Sequence, residues 1–175
     1  MEETKRNILI SENHIKMEIT KLGKIISKNY AGKKLYVLSL LRGSFIFTAD
    51  IVRQIDLEAK IGFMTTSSYG ISQESCGSVK IINDILDDIK GYNVLIIDDI
   101  MDTGITMKFA IDHVKSLGAL TVETCVLLDK PARRKIEISP NYKCFTIPNI
   151  FVVGYGLNFG DYYRNVPYIF NFSDN

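Results

Sequence analysis

Apolar positions along this chain fall into two periods. Between residues 12 and 30, Ile15, Ile19, Leu22 and Ile26 recur at steps of four, three and four, which makes one helical stripe. "KLYVLSLL" (34–41) is a continuous apolar run of strand length and predicts a buried strand. After "RGS", a helical pattern runs from Phe45 to Ile55, and "AKIGFMTTSSY" (59–69) predicts another strand. "GISQESCGS" (70–78) is polar and rich in Gly and Ser, the composition of a loop. "VKIIND" (79–84) and "VLIID" (94–98) predict strands, the second of parallel-sheet character. The following helix carries Met107, Ala110, Ile111, Val114 and Leu117 on one face, and Gly118 suits its C-terminal stop. "TVETCVLL" (121–128), "KCFTI" (143–147), "FVVGY" (151–155) and "YIFNF" (168–172) predict further strands. Strands alternating with helices in the middle of the chain argue for an α/β fold with a parallel sheet. The length of 175 residues and the lack of a long linker or internal repeat suit a single domain over 1–175.

Composition narrows the classes. Hydrophobic residues make up 46 % and charged residues 23 %, and the formal net charge is +1, so neither nucleic acid nor a membrane surface is an expected partner. No apolar run approaches the ~20 residues of a membrane span. The opening "MEETKRNILI" is charged and has no signal-peptide core. Cys76, Cys125 and Cys144 are widely spaced, which disfavours a disulfide framework or a zinc site and fits a reducing cytoplasm. Cys125 lies in an apolar run and is expected in the core, and the distant His14 and His113 suggest neither a metal site nor a triad.

The chemistry concentrates in "VLIIDDIMDTGITM" (94–107), where three acids crowd a Thr/Gly loop at a strand end. In "DTGIT", Gly104 allows close backbone approach, Thr103 and Thr106 offer hydroxyls, and the helix start offers free N–H groups, a combination that suits a phosphate. The segment is not a P-loop, because it lacks the G-x-x-x-x-G-K-[ST] spacing. Asp98 and Asp99 would repel phosphate and so suit a sugar diol or Mg²⁺ on the same ligand, while Asp102 is placed apart as a proton-transfer group. Read alone, the same residues also suit a solvated acid pair followed by a turn and a helix cap. A phospho-acceptor receiver domain would carry its acid pair nearer the first strand of a shorter chain.

This loop resembles the phosphoribosyl pyrophosphate signature of the type I phosphoribosyltransferases. "SLLRGSFIFTADIVRQI", "FMTTSSYG", "LLDKPARRK" and "FVVGYGLNFGDYYRNVPYI" resemble successive landmarks of the hypoxanthine(-guanine) members, in the family's order, over roughly residues 35 to 170. The resemblance implies a twisted, mainly parallel central sheet flanked by helices, with a small hood made from the chain ends. It implies transfer of ribose 5-phosphate from phosphoribosyl pyrophosphate to a 6-oxopurine, with Mg²⁺. Asp98 and Asp99 would hold the ribose hydroxyls directly or through Mg²⁺, with Asp98 where the family often has Glu. Asp102 would be the general base at purine N7, and Thr103, Gly104, Ile105 and Thr106 would cradle the 5-phosphate, Ile105 by its backbone N–H.

The resemblance further places Arg42 and Gly43 at a pyrophosphate site that includes a non-proline cis peptide, together with Arg164. Lys130 would donate to the purine 6-oxo group, Phe151 would stack on the base, and the backbone of Val152 would read the ring edge. Arg134 is a candidate to support these groups from behind. Ser68 and Tyr69 match lid residues, and the loop from Ser68 to Ser78 would close over the site. Outside this context "RGS" reads as a turn with a Ser44 cap, Lys130 and Arg164 as solvated cations, and "FVVGY" as a core strand. Asn158 departs from the pattern, because it stands where the family usually has an Asp that binds a second Mg²⁺; Asp161 lies three residues on. A homodimer or homotetramer is implied. A xanthine-preferring relative and a nucleotide-sensing regulator on the same fold remain as alternatives.

Overall fold

In the computed structural model of the chain the described residues are 6–69 and 78–172, and for 67–69 and 78 the backbone alone is described. The elements run β1 (Arg6–Ile10), α1 (Glu12–Asn29), β2 (Leu35–Leu41), α2 (Phe45–Val52), β3 (Ala59–Tyr69), β4 (Ser78–Asn83), β5 (Asn93–Met101), α3 (Ile105–Ser116), β6 (Thr121–Asp129), a 3₁₀ turn (Pro131–Arg133), β7 (Tyr142–Thr146) and β8 (Ile169–Phe172). A six-stranded sheet has the order β4-β3-β2-β5-β6-β7, and every pairing in it is parallel except β3 with β4. β1 and β8 pair antiparallel as a separate ribbon. The chain ends thus form the small hood beside the main sheet.

Two apolar layers explain the long hydrophobic runs. Val37 of β2 with Leu95 and Ile97 of β5 pack against the stripe Ile15, Ile19, Leu22 and Ile26 of α1 and against Phe47 and Ile51 of α2. The intervening Leu38, Val94 and Ile96 face Met107, Ala110 and Val114 of α3. A strand covered on both faces needs no polar alternation, which is why β2 and β5 read as unbroken apolar segments. Cys125 is fully buried in the first layer, as expected.

Three expectations are corrected. α2 ends at Val52 rather than Ile55: Gln54 already closes a turn on Ile51, and its backbone packs so tightly on Gly23 of α1 that a Cβ there would lie 2.7 Å from the Gln54 carbonyl. Leu117 caps α3 and is exposed instead of lying on the apolar face. "FVVGY" is not a strand. Val153 exchanges two backbone hydrogen bonds with Phe170, and the chain then turns through positive φ at Gly154 (101°), Tyr155 (50°) and Gly156 (100°). A side chain at Gly154 would meet the Tyr168 carbonyl at 2.1 Å, so the turn is closed against the strand entering β8.

Candidate active site

The sheet delivers its chemistry at the carboxyl ends of β2, β5 and β6, where open α/β sheets hold ligands. β5 carries Asp98 and Asp99 side by side. Asp99 N–H donates to Asp98 Oδ1 at 2.9 Å, and Ile100 N–H donates to Asp99 Oδ1 at 2.9 Å. Burial, and then the neighbouring Asp99 charge, push the Asp98 carboxyl well above the usual carboxylate range. Burial also raises Asp99, against the lowering effect of its bonds to Asp98 and Ile100 and of the Arg164 charge. A crowded acid pair of this kind is relieved by a cation or by hydroxyl donors. Asp98 to Gly104, with Thr106 and Met107, line a pocket of about 210 Å³.

The loop then enters α3. Gly104 occupies the N-cap at φ +83°, and a Cβ there would lie 2.6 Å from Ile138 Cγ2 and 3.0 Å from Arg134 Cδ. Glycine therefore supplies both the left-handed turn and the close packing. Thr103 Oγ1 accepts from Ile105 N–H at 3.3 Å, and the first helical bond is Lys108 N–H to Gly104 O at 2.9 Å. The Thr106 and Met107 N–H groups of the first turn are left for an anion. Asp102 Oδ1 is buried without a hydrogen-bond partner among the described residues, and its nearest cation is Arg133 Nε at 3.4 Å.

"LLRGS" meets this loop directly. The Leu41–Arg42 peptide is cis, as the resemblance implied. A side chain on Gly43 would sit 1.7 Å from Asp99 Oδ2, so only glycine lets the two loops touch. Behind the turn a buried hydroxyl chain stands in place of the Ser44 side-chain cap that "RGS" outside its family context suggests: Ser44 Oγ donates to Leu40 O at 2.6 Å, and Ser39 Oγ lies 2.8 Å from both Ser44 Oγ and Thr48 Oγ1. Gly156 packs against the Gly43 carbonyl, where a Cβ would come within 2.1 Å. Arg164 Nη1 donates to Gly156 O at 2.6 Å. Arg42, Gly43, Asp99 and Arg164, spread over more than a hundred residues of sequence, are thus brought to one place.

Lys130 follows β6 and is buried, at 5 % exposure, instead of solvated. Its Nζ donates to Ile150 O at 2.8 Å, and its own N–H donates to Met101 O at 3.0 Å. Phe151 is 58 % exposed and meets Phe159 edge to face at 5.9 Å, while Val152 is buried. Asn158 Nδ2 donates to Gly160 O, which leaves its carbonyl oxygen as an acceptor; Asp161 is exposed in the same turn. Ser68 and Tyr69 end β3, pairing with Val79 and Ser78 of β4. Of the expected lid, 70–77 lies outside the described residues.

Sequence reading missed Arg133 beside Asp102 and the extent of the network behind it. Arg134 joins Asp129 Oδ1, Met101 O, Asp102 O and Ile138 O, and Lys143 Nζ reaches Asp129 Oδ2 at 2.8 Å. The available signal was Asp129 itself, an acid closing an apolar strand run four and five residues before two arginines.

Residues 7–160 match the family model for the phosphoribosyl transferase domain. The chain is 44 % identical over 169 residues to the hypoxanthine-guanine phosphoribosyltransferase of Streptococcus pneumoniae R6, covering 97 % of this chain and 94 % of that one. It is 46 % identical over 166 residues to the hypoxanthine phosphoribosyltransferase of Haemophilus influenzae Rd, covering 93 % of each. A crystal structure of a hypoxanthine phosphoribosyltransferase from Staphylococcus aureus superposes with a TM-score of 0.92 at 41 % identity, over 95 % of this chain and 91 % of that one.

Proposed function

The chain belongs to the phosphoribosyltransferases, among the hypoxanthine-guanine members, and from that premise we propose how its residues divide the reaction. The enzyme serves purine salvage: it moves the 5-phosphoribosyl group from phosphoribosyl pyrophosphate to hypoxanthine and releases pyrophosphate. In our reading guanine is a second acceptor, so the products are IMP and GMP.

Thr103 to Thr106 cradle the 5-phosphate with backbone N–H groups, hydroxyls and the α3 dipole. Asp98 and Asp99 hold the ribose diol. Arg42, the Gly43 backbone and Arg164 receive the pyrophosphate. Enzymes of this family work with a divalent metal, which we take to be Mg²⁺. The buried, mutually repelling Asp98–Asp99 pair fits such a cation, and no cluster of three metal-binding side chains occurs among the described residues. Mg²⁺ typically binds through one or two carboxylates plus substrate phosphates. When bound it neutralises charge on the leaving group. Asn158 offers a neutral carbonyl to a second ion.

Asp102 takes the proton from purine N7 as the new bond forms. Phe151 stacks on the base, the Val152 backbone reads its edge, and Ser68 and Tyr69 lead the lid that keeps water from the ribose carbon. The observation that carries the choice of base is the buried Lys130 ammonium, whose side chain has Ile150 O as its one partner among the described residues. Its remaining N–H donors suit a 6-oxo acceptor, whereas the adenine amino group would leave them unpaired. Exposed Ile61, Phe63, Ile82 and Leu86 border one groove at the β3–β4 side of the sheet and support a homo-oligomer. No helix among the described residues is long and apolar enough to cross a membrane, and we place the enzyme in the cytoplasm.

The test is incubation with phosphoribosyl pyrophosphate and Mg²⁺ plus hypoxanthine, guanine, xanthine or adenine in separate reactions. Nucleotide should form with hypoxanthine and guanine and not with adenine. Preference for xanthine would redirect the base assignment, and no product with any base would favour a regulator on this fold.

A further inference from the structure

We infer that Arg134 is a positioning residue that holds Asp102 in register with Lys130, an inference resting on the roles just given to those two groups. A 6-oxopurine presents N7 and O6 on one edge. The groups that meet them must therefore keep a fixed separation, although they come from different elements. Strand pairing carries β5 and β6 together only as far as Met101 opposite Asp129. Beyond that point Asp102 and Lys130 lie on loops.

Arg134 bridges those loops with its whole guanidinium. Nε donates to Asp102 O at 3.0 Å, and Nη2 donates to Met101 O at 3.3 Å and to Asp129 Oδ1 at 2.5 Å, while Nη1 donates to Ile138 O. The anchor is itself held, because Lys143 occupies the other oxygen of the buried Asp129. With the Arg134 side chain 13 % exposed, these bonds are shielded from water. Two backbone bonds run alongside, Lys130 N–H to Met101 O and Lys135 N–H to Thr103 O, each at 3.0 Å. Among the described residues Asp102 Oδ1 has no hydrogen bond, and its ion-pair contact is the half-exposed Arg133, with Nε at 3.4 Å. A long contact to an exposed cation fixes direction weakly, so the aim rests on the main chain, and Arg134 grips that main chain at the carbonyl of Asp102 itself. A planar fork can meet these acceptors at once, whereas the compact ammonium of lysine cannot.

The experiment is a double-mutant cycle on the full chain, with kcat and the KM for phosphoribosyl pyrophosphate measured for nucleotide formation from hypoxanthine. Arg134→Met keeps the stem beside Gly104 and removes the donors. It should lower kcat by about 10–100-fold, the span expected for a misplaced reacting group, and leave that KM within about threefold. Arg134→Lys should not restore kcat. In an Asp102→Asn background, Arg134→Met should change kcat by less than about threefold, because the group it aims is already disabled. Equal losses in both backgrounds, or full rescue by lysine, would overturn the inference while leaving Asp102 as the base. Unchanged turnover in Asp102→Asn alone would refute the general-base reading instead. Asp129→Asn, which loosens the anchor and keeps Arg134, provides a second cycle should Arg134→Met fail to fold. A smaller kcat loss that again vanishes with Asp102→Asn supports the inference, and a loss that persists overturns it.

Discussion

Asp98 to Thr106, to which we assign ribose and phosphate, form one strand–loop–helix segment, whereas the proposed purine side draws Lys130, Phe151 and Val152 from the end of β6 and from an irregular stretch outside the main sheet. The first half is held by its own backbone: β5 is paired on both sides, Gly104 sets the turn, and α3 supplies the N–H groups. The second half is held by ties between segments distant in sequence. Lys130 reaches Ile150 O, Phe151 leans on Phe159, and Val153 bridges Phe170. A contiguous half can be carried between substrates of one class, since every phosphoribosyl donor shares the sugar phosphate. A dispersed half can be retuned residue by residue, which suits the part that chooses the base.

Substitutions can press on this contrast from either side. Asp102 stands at the seam, and Asp102→Asn should lower kcat by roughly 10²–10⁴ while phosphoribosyl donor binding holds, the usual span for a lost acid/base group. Steady-state kinetics with hypoxanthine would check it, and unchanged turnover would move the proton-transfer role elsewhere. Lys130→Ala acts on the dispersed half alone. A hydrogen bond to a charged group is worth about 1.5–3 kcal/mol, so preference for hypoxanthine over adenine should fall by about 10–100-fold in kcat/KM, and undiminished selectivity would sink the base-pocket assignment. The smallest effect belongs to Asn158→Asp, which adds one charge in an accessible turn. Half-saturating Mg²⁺ should fall by about fivefold, from roughly 1 kcal/mol of added attraction, and an unaltered Mg²⁺ titration would remove residue 158 from the metal site.

The contiguous half was legible because its ligand chemistry is written in neighbouring residues. An apolar run ending in paired acids, then Asp-Thr-Gly-x-Thr, states strand, acid pair, glycine turn and helix start in order. Lys130 was a candidate only through its family resemblance, and its burial was not legible, since a lone lysine after a strand carries no local sign of being covered. "FVVGY" misled because its β-branched residues fit a strand by propensity, while three successive positive φ angles are imposed by packing against Tyr168 and Gly43. β1 escaped because "RNILI" acquires strand character only through its partner β8 near the other end of the chain, where Arg6 pairs with Phe172.

By itself the sequence determined the helical and strand periods, the two-sided burial of β2 and β5, and the acid pair and glycine turn that lead into α3, because each depends on residues within a few positions of one another. Tertiary structure alone decided that Gly43 would lie against Asp99, that Arg134 would tie the Asp102 carbonyl to Asp129, and that Arg133 would stand beside Asp102. These contacts depend on sheet order and on loops leaving adjacent strand ends, and no local pattern encodes which strand becomes the neighbour of which.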